Sequence, residues 1–167
     1  MDLAPGESLQ IAGSNGIGKS SLIRIIARLM PPYTGSIDSS GDIGLIDERP
    51  ALEPALPLGD ALAFWQRMDG PADNELTRLG LSELMDVPVR FLSTGQKKRA
   101  AFARLIGQAA PIWLLDEPLN GLDKQAVGLI ESLASEHCKS GGICIVASHQ
   151  PFKLPGMTRL ELKDYTA

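Results

Sequence analysis

The stretch Gly13-Ser14-Asn15-Gly16-Ile17-Gly18-Lys19-Ser20 sets two glycines around four residues and follows them with a lysine and a hydroxyl. Those residue types suit a phosphate chain. Glycines let the backbone curl until its N–H groups converge on an anion, and a helix starting at the end of the turn adds roughly half a positive charge. Lys19 has the length to reach terminal phosphates, Ser20 offers the hard oxygen that Mg²⁺ favours, and Ser21 continues the same turn. Farther along, the apolar run Ile112-Trp113-Leu114-Leu115 ends in Asp116-Glu117. Acids often mark a strand end that simply reaches solvent. Here the phosphate turn requires a Mg²⁺-binding acid, which Asp116 can supply directly or through water, and Glu117 can polarise an attacking water. The joint pattern implies ATP or GTP with Mg²⁺.

These residues need elements to position them. Ser8-Leu9-Gln10-Ile11-Ala12 reads as a short strand before the turn. Ser20 to Leu29, with Leu22, Ile23, Ile25, Ile26 and Leu29, reads as a buried helix after it. An unbroken apolar run such as Ile112–Leu115 is expected for a strand covered on both faces of a parallel sheet, and Ile143–Ala147 reads the same way. Phe91-Leu92-Ser93-Thr94-Gly95-Gln96 opens a helical segment with Ser93 as N-cap. In that segment Lys97, Lys98 and Arg99 read as a solvated face, with Ala100, Ala101, Phe102, Leu105 and Ile106 inside. Gln125 to His137 is amphipathic, and His137 reads as structural. Leu62, Phe64 and Trp65 have near-helical spacing and read as core or partner surface. The fold class that follows is α/β, a P-loop NTPase with a mainly parallel sheet and nucleotide at the C-terminal strand ends.

At 167 residues and net charge −4, the chain is of single-domain size and lacks the positive charge of a nucleic-acid binder. Cys138 and Cys144 do not have metal-site spacing, and no secretory signal or bilayer-length apolar run is present, so the expected setting is reducing and cytoplasmic. Proline and glycine concentrate between Met30 and Pro71, the expected subdomain boundary.

Leu92-Ser93-Thr94-Gly95-Gln96 resembles the signature of ABC-type transport ATPases and precedes Asp116-Glu117 by that family's usual interval. Asn120-Gly121-Leu122-Asp123 resembles the D-loop, with Asp123 at its acidic position, and His149 resembles the switch histidine. The resemblance runs from about Met1 to His149 and implies one ABC ATPase domain over 1–167, with a helical subdomain at about 50–108 inserted in the P-loop core. It implies ATP hydrolysis with Lys19, Glu117 and His149 as catalytic residues, and Gly13 to Ser21 as the nucleotide loop. Ser20 and Asp116 are then the Mg²⁺ ligands, and residues 92–96 close the site of a second copy, giving a homodimer. Serine, glycine amide and helix dipole together suit an anion, which agrees with that role.

Val87-Pro88-Val89-Arg90, Trp113 before the acid pair and Ser148-His149-Gln150 are most similar to the haem-exporter ATPases of bacterial cytochrome c maturation. That resemblance implies integral membrane transporter subunits as partners and a peripheral place on the cytoplasmic face of the inner membrane. No haem-binding motif stands in the chain itself, so haem handling falls to the partners. Two positions depart from the family pattern. Arg49, in Asp47-Glu48-Arg49-Pro50, occupies the place of the usual Q-loop glutamine; arginine cannot ligate a cation, whereas the neighbouring Glu48 offers an oxygen. About a dozen residues precede Gly13, where the family normally has further strands with an adenine-stacking aromatic, so the N-terminal strands read as truncated. The competing readings are a non-transport ABC ATPase and a nucleotide-binding regulatory subunit without turnover.

Overall fold

The computed structural model describes residues 2–70 and 73–165; Met1, Pro71, Ala72, Thr166 and Ala167 lie outside the described residues. The chain divides into two compact units. The first comprises Met1–Glu48, Ala110–Leu119 and Ile130–Ala167, and the second Arg49–Ala109 and Asn120–Leu129.

The first unit is organised by a five-stranded parallel sheet of β1 (Ser8–Ala12), β2 (Ile43–Ile46), β3 (Ile112–Asp116), β4 (Ile143–Ala147) and β5 (Thr158–Glu161), in the order β2-β3-β4-β1-β5. Burial follows that order. Every residue of β1 and β3 is buried, whereas edge strand β5 exposes Thr158 and Arg159. Parallel strands must be covered on both faces, which is why β3 and β4 are apolar without alternation. On one face Leu9, Ile11, Ile112, Leu114, Ile145 and Ala147 pack with Ile23 of helix α1 (Lys19–Ile26). Each such Leu or Ile contributes about 1.5–3 kcal/mol by leaving water. On the other face Trp113 stacks on His137 of helix α5 (Lys124–Lys139), with ring centroids 4.0 Å apart and planes 8° from parallel.

The helix expected to run to Leu29 stops at Ile26. Arg28 takes φ 60°, and the amides of Leu29 and Met30 both donate to the Arg24 carbonyl, closing the last turn before Pro31 and Pro32. Leu29 is consequently exposed, and within the helix only Lys19 and Ile23 are fully buried.

The second unit holds α2 (Leu58–Asp69), α3 (Asp73–Arg78) and α4 (Thr94–Gly107), with short 3₁₀ turns at Ser82–Leu84 and Val89–Phe91. Leu58, Leu62, Leu79, Leu81, Phe102 and Leu105 fill its interior. The Arg104 guanidinium lies 3.4 Å from the Trp65 ring centroid and 4.0 Å from Asp69. The expectation that Lys97, Lys98 and Arg99 form one solvated face fails at Lys98, which is 5 % exposed. Successive helical residues point about 100° apart, so Lys98 shares its face with buried Phe102 and Leu105 at i+4 and i+7. Leu62 is buried as core, while Phe64 remains half-exposed.

Candidate functional site

Strand register decides what meets at the C-terminal edge of the sheet. Ile11 pairs with Ala147, and Ala147 with Asp116, so the turn after β1, the acid pair ending β3 and the Ser148-His149 step after β4 emerge side by side. The turn after β1 has the backbone of an anion cradle. Gly16 and Gly18 take φ 81° and 108°, values that other L residues adopt only with strain, and Gly18 is the N-cap of α1. Ser14, Asn15 and Gly16 face solvent, Ile17 and Gly18 are half-buried, and Ser21 is exposed.

Lys19 is 5 % exposed and folds back over the turn, its ammonium donating to the carbonyls of Gly13 at 3.0 Å and Ser14 at 3.1 Å. It also pairs with Glu117 Oε1 at 3.4 Å. The other oxygen, Glu117 Oε2, lies 2.9 Å from His149 Nδ1 and accepts from Ser148 Oγ at 3.3 Å; the His149 amide donates to Oε1 at 3.2 Å. One carboxylate thus joins the turn after β1 to the loop after β4. Glu117 takes φ 46°, a left-handed conformation that costs an ordinary residue about 1–2 kcal/mol. Its amide donates to the Ala147 carbonyl at 2.8 Å, and Pro118 behind it is fully buried, so packing holds the turn.

Asp116 is 2 % exposed, and its Oδ1 is buried with no hydrogen-bond partner. Burial pushes its carboxyl above the usual carboxylate range; a hydrogen bond with Ser20 and the charge of Arg24 oppose this, while Glu117 and Glu48 add to it. An orphaned, buried acidic oxygen beside a serine hydroxyl has the donor chemistry of a hard divalent cation. Among the described residues no group of three or more His, Cys, Asp or Glu forms a metal cage.

Leu92 to Gln96, which resemble the signature, lie in the second unit. Leu92 is buried, Ser93 and Thr94 are exposed, and Ser93 caps α4 reciprocally: Gln96 N donates to Ser93 Oγ at 3.2 Å and Ser93 N to Gln96 Oε1 at 2.8 Å. The α4 N-terminus is therefore fixed and open to solvent. Beside Gly95 a Cβ would meet the Gly121 carbonyl at 3.3 Å, which favours glycine there. Asp123 Oδ1 accepts from Ala126 N at 2.8 Å and caps α5. His137, outside these groups, is a structural residue: Nε2 lies 3.3 Å from the Ile143 carbonyl, and burial holds its pKa below the ordinary 6.5.

Sequence reasoning gave Ser148 no part in the site, although it is 1 % exposed and bonded to Glu117. It also gave no role to Arg24, whose charge is felt at Asp116. Arg24 stands in no motif and Ser148 only in Ser148-His149-Gln150, and strand register is what brings Ser148 to Glu117.

Residues 1–120 match the ABC transporter family. The chain is 50 % identical over 165 residues to the cytochrome c biogenesis ATP-binding export protein CcmA of Novosphingobium aromaticivorans, covering 99 % of this chain and 86 % of that protein. It is 42 % identical over 169 residues to the protein of the same name in Zymomonas mobilis, with 99 % and 76 % covered. Among solved structures, cbiO1 of Clostridium perfringens, part of an ABC transporter complex, is 31 % identical at TM-score 0.70, covering 90 % of this chain and 70 % of that one. A dimeric ATP-binding cassette in a post-hydrolysis state with ADP and Pi is 25 % identical at TM-score 0.76, covering 90 % and 78 %.

Proposed function

The chain belongs to the ABC transporter ATP-binding family, and from that premise we propose that it is the ATP-hydrolysing motor of a membrane transporter that handles haem for c-type cytochrome biogenesis. The observation that carries the reading is the convergence of Lys19, Glu117 and His149 beside the orphaned Asp116 oxygen, in a chain 50 % identical to a cytochrome c biogenesis export ATPase.

In this reading the amides of residues 13–21 bind the β- and γ-phosphates, and Lys19 exchanges Glu117 for a γ-phosphate oxygen. Ser20 and Asp116 hold Mg²⁺, which when bound neutralises charge on the phosphate oxygens. Glu117, released from Lys19, accepts a hydrogen bond from the attacking water and draws its proton. His149 keeps the carboxylate oriented and meets the γ-phosphate from the loop after β4. Ser93 and the Gly95 amide of a second copy complete the anion shell from the opposite side, so the active form is a dimer with two shared sites.

The helical subdomain at about 50–108 is the part that meets the membrane subunits. Supporting this, the second unit carries a groove of about 780 Å³ lined by Leu52, Leu56, Ala61, Phe64 and Trp65, with Phe64 48 % exposed. No helix among the described residues is long and apolar enough to cross a membrane, so membrane partners supply the translocation path in this reading.

The test is complementation. In a bacterium lacking its own cytochrome c biogenesis ATPase, the wild-type chain, expressed with its cognate membrane subunits, restores covalent haem in c-type cytochromes; Glu117→Gln does not. Restoration by Glu117→Gln would overturn the motor role, and failure of the wild-type chain despite ATPase activity would overturn the haem assignment.

A further inference from the structure

Among the described residues three aromatic side chains are exposed, Tyr33, Phe64 and Phe91. Phe64 belongs to the groove just described. Phe91 stands two residues before the Ser93 cap, is 69 % exposed, and has the Arg90 guanidinium 4.8 Å from its ring centroid. Its backbone is held firmly for so exposed a residue. The amides of Val89, Arg90 and Phe91 donate to the carbonyls of Leu56, Pro54 and Pro88, and Lys97 Nζ reaches the Arg90 carbonyl at 3.4 Å. An apolar ring on a held backbone, 69 % exposed and with a guanidinium over it, has the character of a binding platform.

Distance indicates what it serves. Leu92 and Ser93 are extended, with ψ 142° and 162°, so the ring is offset from the cap by about 7 Å of backbone plus its own length. That offset is of the order that separates a γ-phosphate from the ribose and base of its nucleotide. Resting on the reading that Ser93 of one copy meets the γ-phosphate held by another, we propose that Phe91, backed by Arg90, stacks against the base of the nucleotide bound to the second copy. The exposed ring meets the π-face of the base, and the guanidinium adds positive charge toward the triphosphate. Stacking of this kind accepts any base, so the platform adds affinity without strong base selection.

The experiment uses the purified chain carrying Glu117→Gln, which accumulates unhydrolysed ATP, and follows dimerisation against ATP concentration by light scattering. Adding Phe91→Ala raises the ATP midpoint about fivefold or more, the low end of base–aromatic stacking, and Phe91→Trp restores it. Binding of a fluorescent ATP analogue to the dilute monomer is unchanged, because the ring acts on the other copy's nucleotide. A midpoint within twofold of the parent would overturn the proposal, as would an equal loss of affinity in the monomer. So would an unchanged midpoint with lost co-purification of membrane subunits, which would assign the ring to that interface. Failure of the parent to dimerise at any ATP concentration would instead remove the sandwich reading on which the platform rests.

Discussion

Replacing Glu117 with glutamine is expected to tighten nucleotide binding as well as stop turnover, because Glu117 pairs with Lys19, the cation that a γ-phosphate needs. Lys19 Nζ and Glu117 Oε1 are 3.4 Å apart, with side chains 5 % and 9 % exposed, so salt screens the pair little. At an effective dielectric near 20 their attraction is about 5 kcal/mol. Part of this is offset by the desolvation both groups suffer, and Glu117 keeps its bonds to His149 and Ser148 when Lys19 leaves it. The charge also repels the incoming phosphate. A net penalty of about 1.5–3 kcal/mol remains, equal to roughly 10- to 150-fold in affinity. The assay is calorimetric titration with a non-hydrolysable ATP analogue and Mg²⁺ at chain concentrations below dimerisation, so that neither turnover nor trapping contributes. Glu117→Gln should bind at least tenfold more tightly than wild type, and Glu117→Asp, which keeps the charge, should stay near wild type. Equal affinity in wild type and Glu117→Gln would refute the idea that the carboxylate competes with nucleotide.

Other outcomes follow from the same geometry. Asp116 has a raised pKa in the folded chain, so the nucleotide-free fold loses stability as pH rises from 3.8 through that raised value. Asp116→Asn should therefore raise the melting temperature of the nucleotide-free chain at pH 7 while abolishing the Mg²⁺ dependence of ATP binding. His137 is shifted the other way: its neutral form is favoured by folding, giving stability that is full above 6.5 and lost as pH falls through the lowered value. His137→Phe should flatten that acid limb in urea melts. Gly142→Ala would press a methyl into the His137 ring, which cannot retreat from Trp113, and should destabilise by about 1–3 kcal/mol in the same assay.

The fold was legible where chemistry is local. Gly13 to Ser20, the strand Ile112–Asp116 and the strand Ile143–Ala147 carry their own conformational instructions, and the parallel sheet follows from apolar runs without alternation. The pairings inside the site were not legible. Nothing near Glu117 in the chain announces that it turns left-handed, reaches Lys19 on one side and His149 on the other, and borrows Ser148, since those contacts come from strand register across the sheet. Lys98 shows the opposite failure. Three consecutive basic residues suggest a polar face, but helical rotation separates them, and only α4's packing decides which one is buried. The early end of α1 likewise depends on the Arg24 carbonyl capturing two amides, which periodicity does not encode.

The most direct measurement is steady-state phosphate release by the purified chain with ATP, with and without Mg²⁺, beside Glu117→Gln and His149→Ala. Wild type should turn over ATP only with Mg²⁺, both variants should lose at least a hundredfold in rate, and each should retain ATP binding. Turnover by Glu117→Gln at the wild-type rate would contradict the role of Glu117 in hydrolysis.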